Sequence, residues 1–290
     1  MSLASTLLKY LFIHRTAKIP WSEIVISRTP SPHQRPFWDP ATAASHGSDR
    51  RRPGAARAVE FNVSHQAGLV ALAGCATDTP PSTVLTTTAA TTPPDGDVLE
   101  SSNSSSSSPR DDDGKPGPGL GRDPDGSPPL LGIDITCPFE PSRGTSNRIT
   151  TPSQFNEWVD IFAEVFSVAE VEDMKSYVPP RSLPVGEAAG IAAKLRYFYT
   201  FWALKEAYIK MTGEALLAGW LRELEFRDVR VPAVAEEGRW GEVESGVQVW
   251  MQGRRIEGLR VEVVGFGREY IVALVGRGWM ETGMEVETGR

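Results

Sequence analysis

The sequence is poor in cysteine and in long apolar runs, and its charge is more acidic than basic. Its two cysteines, Cys75 and Cys137, are too few for the disulfide framework of a small secreted domain. No stretch approaches the roughly 20 consecutive apolar residues of a membrane-spanning helix. The 37 acidic and 30 basic residues give a net charge of −7, which argues against a nucleic-acid-binding protein. We therefore expect a cytoplasmic protein that binds neither membranes nor nucleic acids.

The first residues also lack the features of a signal peptide. The segment MSLASTLLKYLFIH has no basic start and no small-residue cleavage site. Its apolar residues recur at helical spacing, which predicts an amphipathic helix. The side expected to pack is formed by Leu3, Leu7, Tyr10 and Leu11.

A long polar stretch divides the chain. Residues 77–129 consist largely of Ser, Thr, Pro, Gly and Asp and hold few side chains that could form a core, which predicts a disordered insert. Apolar runs typical of strands flank it at 61–74 and 130–136, so we expect the insert to leave a folded unit at a surface loop. The predicted division is an N-terminal half (1–76), the insert, and a C-terminal half (130–290).

Helices are predicted to precede strands after the insert. Ser167, followed by Glu170 three residues later, predicts a capping box at a helix start. A second helix is predicted from Ala192 to Thr212, with Gly213 as its C-cap. Strands are predicted at 224–231, 247–252, 259–266 and 269–276, the last two as a hairpin. Helices followed by strands predict an α+β fold.

The second of these helices carries charges among aromatic residues. Trp202, Glu206 and Lys210 are four residues apart and share one stripe of the predicted helix. One interpretation is an exposed Glu–Lys pair that stabilises the helix by about 0.2–0.5 kcal/mol. The other is a helix that lines a cleft, because the flanking apolar residues leave little room for a wide polar face.

Polar residues also occur in two of the predicted strands. Asp134 ends the apolar run LLGIDIT, where a carboxylate is costly unless it is paired, hydrogen-bonded or bound to a metal. A turn carboxylate is the alternative. Two carboxylates from a strand and a helix would suit Mg²⁺, which completes its shell with waters and phosphates. Ser64, His65 and Gln66 offer groups that can donate to a phosphate, although a strand histidine is often purely structural.

The order NVSHQ, GID, FSxxE and WxxKEAxxK resembles that of the 4′-phosphopantetheinyl transferases, and is most similar to the fungal members of the large, monomeric type. The resemblance runs to about Val229 and skips the insert. It implies two similar α/β halves related by a pseudo-twofold axis. It also implies transfer of 4′-phosphopantetheine from coenzyme A to a carrier-protein serine, with release of adenosine 3′,5′-bisphosphate.

The resemblance further implies biological partners. They would be the acyl and peptidyl carrier domains of secondary metabolism and the aminoadipate-reductase carrier domain of lysine biosynthesis. The enzyme would act as a monomer in the cytoplasm.

The resemblance assigns metal ligands. Mg²⁺ would be held by Asp134, Glu206 and Gln66. Many bacterial members carry a further acidic ligand two residues after the aspartate, where this sequence has Thr136.

It also assigns coenzyme A contacts and catalytic residues. The contacts would be made by Ser64, His65, Lys210 and, on a looser match, Arg35. Lys210 would neutralise charge on the leaving group, and Glu170 or Glu206 would accept the serine proton. The capping-box role of Glu170 is the alternative for that residue.

One departure from the family concerns the N-terminus. Members usually have a strand and a helix ahead of the segment that matches MSLAS, so we expect the N-terminal half to be truncated.

A non-catalytic carrier-binding protein of the same fold is the competing function. The joint presence of Asp134, Glu206, Lys210, His65 and Gln66 weighs against it. A nucleoside triphosphatase is disfavoured because the sequence has no GxxxxGK[ST] pattern.

Overall fold

The computed structural model describes residues 3–29, 34–40, 58–77, 129–140, 149–180, 186–214, 218–278 and 287–289. The insert predicted at 77–129 lies outside these ranges except for its two end residues. The helices are α1 (Leu3–Ala17), α2 (Pro152–Asp160), α3 (Val168–Ser176) and α4 (Glu187–Thr212). The strands are β1 (Ser27–Arg28), β2 (Pro36–Trp38), β3 (Ala58–Gln66), β4 (Leu69–Thr77), β5 (Leu130–Thr136), β6 (Leu224–Arg227), β7 (Trp240–Ser245), β8 (Gln248–Met251), β9 (Arg254–Arg255), β10 (Leu259–Phe266), β11 (Tyr270–Arg277) and β12 (Glu287–Gly289).

The N-terminal half sets α1 against an antiparallel sheet in the order β1-β2-β3-β4-β12, in which the last strand is added from residues 287–289. The helix at the start of the chain is confirmed, and Tyr10 of the predicted side packs partly against the core, but the fully buried residues lie elsewhere on the helix. Leu8 and Ile13 are buried, whereas Leu3 and Leu7 are 73% and 46% exposed. Because α1 is apolar on more than one side, its spacing alone does not decide which side faces the sheet.

The apolar run 61–74 contains a turn that its pattern does not reveal. Ala67 and Gly68 have φ of 48° and 82° and join β3 to β4. Two consecutive left-handed residues match the right-handed twist of a tight hairpin, which explains the glycine. The run 61–74 therefore forms most of β3, the turn, and most of β4.

The C-terminal half packs α4 against β5 and β11 of a sheet in the order β5-β11-β10-β7. The predicted hairpin is confirmed, since β10 and β11 pair from Leu259 with Arg277 to Phe266 with Tyr270. Strand β7 was missed because it is an edge strand without a clear apolar alternation. Strands β6, β8 and β9 form a separate small sheet. This arrangement confirms the α+β prediction.

The helix ends follow the predicted local rules. Ser167 Oγ accepts from the Glu170 N–H at 3.1 Å, and the Glu170 carboxylate accepts from the Ser167 N–H at 2.8 Å, which confirms the capping box of α3. Gly213 is left-handed, with φ of 79°, and its N–H donates to Ile209 at 2.8 Å, as expected of a C-cap. Helix α4 begins at Glu187, earlier than predicted.

No helix in the described parts of the chain has the length and apolar character needed to cross a membrane.

A polar face of β3 joins the two halves. Strand β5 lies at the edge of its sheet, so the N–H groups on its outer side need partners from outside that sheet. Asn62 Oδ1 accepts from the Ile133 N–H at 3.4 Å, and Ser64 Oγ accepts from the Ile135 N–H at 3.2 Å. The polar residues of NVSHQ thus join β3 to β5, as well as contributing to the site described below.

Candidate active site

Gly132 brings α4 against β5. A Cβ atom added to this glycine would lie 2.0 Å from the Ala207 carbonyl oxygen and 2.4 Å from the Met211 nitrogen, so no other residue fits without moving the helix. Asp134 is two residues further along β5 and therefore points to the same side of the strand. The close approach places its carboxylate beside the C-terminal part of α4.

Asp134, Ser64 and Lys210 form a triangle of contacts. Lys210 Nζ lies 2.6 Å from Asp134 Oδ1 and 3.0 Å from Ser64 Oγ. The Ser64 hydroxyl donates to the same Asp134 oxygen at 2.9 Å. Only 6% of Asp134 is exposed. The three side chains come from β5, α4 and β3, so both halves build the site. The Lys210 end of the stripe on α4 therefore faces the junction of the halves, as the cleft interpretation predicts, whereas Trp202 packs against Phe162.

Glu206 lies one helical turn before Lys210 on α4 and is half-buried. Burial raises the pKa of Glu206, the negative charge of Asp134 raises it further, and Lys210 opposes both effects. Burial also raises the pKa of Asp134, against the opposing effects of Lys210 and Ser64. Two mutually repelling carboxylates thus share one lysine, which favours the approach of further positive charge.

Two neutral side chains with oxygen atoms that could bind a cation accompany the two carboxylates. Thr136 shares the face of β5 that carries Asp134, is 1% exposed, and has an Oγ1 atom without a hydrogen-bond partner among the described residues. Gln66 Nε2 donates to Glu140 Oε2 at 2.9 Å. No group of three or more His, Cys, Asp or Glu side chains suited to a metal occurs in the described part of the chain. A cation at this site would therefore depend on neutral oxygens, such as those of Thr136 and Gln66, in addition to the two carboxylates.

Sequence reasoning did not single out Glu140. It follows β5 in an irregular segment, and only its acidic side chain six residues after Asp134 could have drawn attention to it. Its contact with Gln66 spans 74 positions of the chain, a separation that sequence spacing cannot anticipate.

His65 does not join Ser64 and Gln66. Alternation along β3 places it on the opposite face, and it is exposed. Its partner across the hairpin is Val70. A coenzyme A contact by His65 therefore stays a prediction, and it would have to come from the other side of the strand.

Arg35 is buried, and its guanidinium makes contacts inside the protein. It is 7% exposed, its Nη1 donates to the Met211 carbonyl at 3.0 Å, and it forms an ion pair with buried Glu60. Burial lowers the pKa of Arg35 to about 10. These contacts tie β3 to the C-terminal end of α4, and they do not support the predicted coenzyme A contact.

Glu170 also lies apart from the Asp134 site. It is 1% exposed, forms an ion pair with Lys205 at 2.8 Å, and accepts from the Phe226 N–H at 2.9 Å. Burial raises the pKa of Glu170, and Lys205 opposes that effect. All of its described contacts are internal to the C-terminal half. They do not support a role as the base, and its capping-box role is confirmed.

The fold and site define an α+β protein whose two halves share one carboxylate–lysine site. The family model for the 4′-phosphopantetheinyl transferase N-terminal domain matches residues 1–77, and that for the 4′-phosphopantetheinyl transferase superfamily matches residues 130–273. The chain belongs to the 4′-phosphopantetheinyl transferase family.

Several fungal proteins are similar to this chain along most of its length. It is 45% identical to 4′-phosphopantetheinyl transferase A of Aspergillus fumigatus, over 96% of this chain and 71% of the relative. It is 40% identical to 4′-phosphopantetheinyl transferase NpgA of Emericella nidulans, over 96% of this chain and 70% of the relative. It is 32% identical to a 4′-phosphopantetheinyl transferase of Aureobasidium melanogenum, over 96% and 77%.

Proposed function

We propose that this chain transfers the 4′-phosphopantetheine moiety of coenzyme A to a serine of acyl and peptidyl carrier proteins. Membership of the 4′-phosphopantetheinyl transferase family supports this activity. The observation that carries it is the contact of Asp134, Ser64 and Lys210 at the junction of the halves, with Glu206 in electrostatic reach. The reaction needs positioned charge at a pyrophosphate, and this site supplies charge of both signs.

Magnesium fits the donor set. Asp134 and Glu206 carry one more negative charge than Lys210 neutralises, and the repulsion between them raises the pKa of Glu206. Mg²⁺ is typically bound by one or two carboxylates together with waters and substrate phosphates. We assign the ion to Asp134, Glu206 and Gln66. Thr136 occupies the position at which many bacterial members have an acidic ligand. When bound, it supplies positive charge to the pyrophosphate oxygens.

Lys210 binds phosphate and stabilises the leaving group in this proposal. The carrier serine oxygen forms a bond to the phosphorus that bears pantetheine, and the bond from that phosphorus to adenosine 3′,5′-bisphosphate breaks. The Lys210 ammonium, 28% exposed, offsets the negative charge that develops on the bisphosphate. Ser64 and His65 are the further candidates for phosphate contacts. Arg35 is left out because its guanidinium is buried and paired.

Glu206 is the preferred acceptor of the serine proton. It is half-buried beside the Asp134–Lys210 contact, where the phosphates and the attacking serine are proposed to lie, and no structural contact of its carboxylate is seen among the described residues. Glu170, the other candidate, already accepts from Lys205 and two backbone N–H groups. Its carboxylate is occupied by structural contacts.

The carriers proposed are those of polyketide and peptide synthases together with the aminoadipate-reductase carrier domain. Intact mass spectrometry of each apo carrier, incubated with this chain, coenzyme A and Mg²⁺, tests the proposal. The expected result is a mass gain of one phosphopantetheine that disappears when the acceptor serine of the carrier is replaced by alanine. A carrier that stays in its apo form at high enzyme concentration would contradict it.

A further inference from the structure

Glu140 determines which end of the Gln66 amide is engaged. Gln66 Nε2 lies 2.9 Å from Glu140 Oε2. An ionised carboxylate only accepts hydrogen bonds, so the nitrogen end of the amide must face Glu140. The chemistry of this partner therefore fixes which end of the amide is engaged. The carbonyl oxygen of Gln66 is therefore not used by the contact with Glu140.

Gln66 lies on the side of β3 that builds the site. It is two residues from Ser64 and shares its face of the strand, and Ser64 Oγ contacts Asp134 at 2.9 Å. Side chains two residues apart on a strand are separated by roughly 6–7 Å. The orientation of the Gln66 amide therefore matters to a cation near Asp134, because the oxygen attracts it and the NH₂ group repels it.

We propose that Glu140 is a positioning residue that holds the Gln66 amide with its carbonyl oxygen available to the metal ion. This inference rests on the proposed magnesium site. Partners of metal ligands commonly fix the orientation of the ligand, and their loss typically weakens metal binding by about 10–100-fold. Glu140 differs from Asp134 and Glu206 in that it acts through Gln66 and need not touch the ion.

Binding of Mn²⁺ tests the proposal without any turnover. Mn²⁺ favours the same carboxylate and carbonyl ligands as Mg²⁺, and the paramagnetic resonance signal of the free ion reports how much is bound. We expect Glu140→Ala to weaken Mn²⁺ binding by about tenfold, near the lower end of the usual range. Glu140→Gln should stay close to the parent protein, because its carbonyl oxygen can still accept from Gln66.

A double substitution separates positioning from direct ligation. If Glu140 acts through Gln66, then Glu140→Ala adds nothing to the loss already caused by Gln66→Ala. Glu164→Ala is the matched control, since the Glu164 side chain is 85% exposed. A further loss in the double variant, or a Glu140→Gln loss as large as that of Glu140→Ala, would overturn the positioning role.

Asp134→Asn distinguishes failure of the inference from failure of the site. If this change weakens Mn²⁺ binding and Glu140→Ala does not, the positioning role alone is wrong. If Asp134→Asn leaves Mn²⁺ binding unchanged, the proposed metal site is wrong and the role of Glu140 is wrong with it.

Discussion

Lys205 and Glu170 form a buried ion pair, in which Nζ and the carboxylate are 2.8 Å apart and neither side chain is more than 1% exposed. Lys205 also donates to the carbonyl groups of Leu221 and Leu224. The pair thus joins α3 and α4 to β6 and to the turn that precedes it. The two lysines of the WxxKEAxxK segment therefore have different roles. Lys205 packs α4 against the rest of the C-terminal half, and Lys210 contacts Asp134 in the site.

Breaking this pair should destabilise the protein. Lys205→Met leaves the Glu170 carboxylate buried without its ion pair, and we expect the free energy of unfolding to fall by about 3–5 kcal/mol. Urea denaturation measures the change, with the exposed Glu164→Gln as control. Adding Glu170→Gln to Lys205→Met should recover part of the loss. A Lys205→Met protein as stable as the parent would contradict the buried pairing.

Gly132→Ala should displace α4 from β5. Its Cβ would lie 2.0 Å from a backbone oxygen, a clash that side-chain rotation cannot relieve. We expect transfer activity to fall by at least about 100-fold, since a shift of roughly 1 Å at a site can have that effect. The matched control is Gly190→Ala within α4, where an added Cβ meets nothing within 4 Å. The control should be neutral or stabilising by up to about 1 kcal/mol.

Glu206→Gln should stabilise the metal-free protein at neutral pH. The pKa of Glu206 is raised above its ordinary value of 4.5, so the folded state binds its proton more tightly than the unfolded state does. The parent therefore loses stability as pH rises through 4.5 and up to the raised pKa, whereas glutamine does not titrate. Thermal unfolding in chelator should show a higher Tm for the variant at pH 7.5 than for the parent, with a difference that vanishes near pH 4. A lower Tm for the variant at both values would refute this account.

Arg35→Met distinguishes a structural link from a coenzyme A contact. Loss of the guanidinium leaves Glu60, which is 1% exposed, without its partner, so we expect a loss of about 3 kcal/mol in unfolding free energy. The KM for coenzyme A should change little at temperatures where the variant is folded. Arg28→Met, at an exposed position, is the control. A raised KM with unchanged stability would restore the cofactor role expected from the sequence.

Local rules predicted the parts of the fold that depend on neighbouring residues. The capping box at Ser167, the C-cap at Gly213 and the β10–β11 hairpin each follow from a few adjacent residues. The α+β class followed from the order of these elements. The turn at Ala67 was missed because an alanine in a left-handed conformation leaves no signature in sequence.

The site was predictable only as a set of residue types. Asp134, Ser64 and Lys210 do meet, across 76 and 146 positions of chain. The contact partners of the other candidate residues also lie on different elements of the fold, and sequence spacing gives no hint of them. Arg35 pairs with Glu60 and Glu170 pairs with Lys205, so these contacts are internal and do not support the two roles expected from the sequence, which stay predictions.

If Asp134, Glu206 and Lys210 carry out the transfer, replacing Glu206 by glutamine must slow it. The rate at which an apo carrier gains one phosphopantetheine should be measured by intact mass for the parent and this variant, with coenzyme A and Mg²⁺ at saturation. We expect a rate lower by at least about 100-fold in a variant that is no less stable at neutral pH. A variant that modifies the carrier at the parental rate would contradict the account.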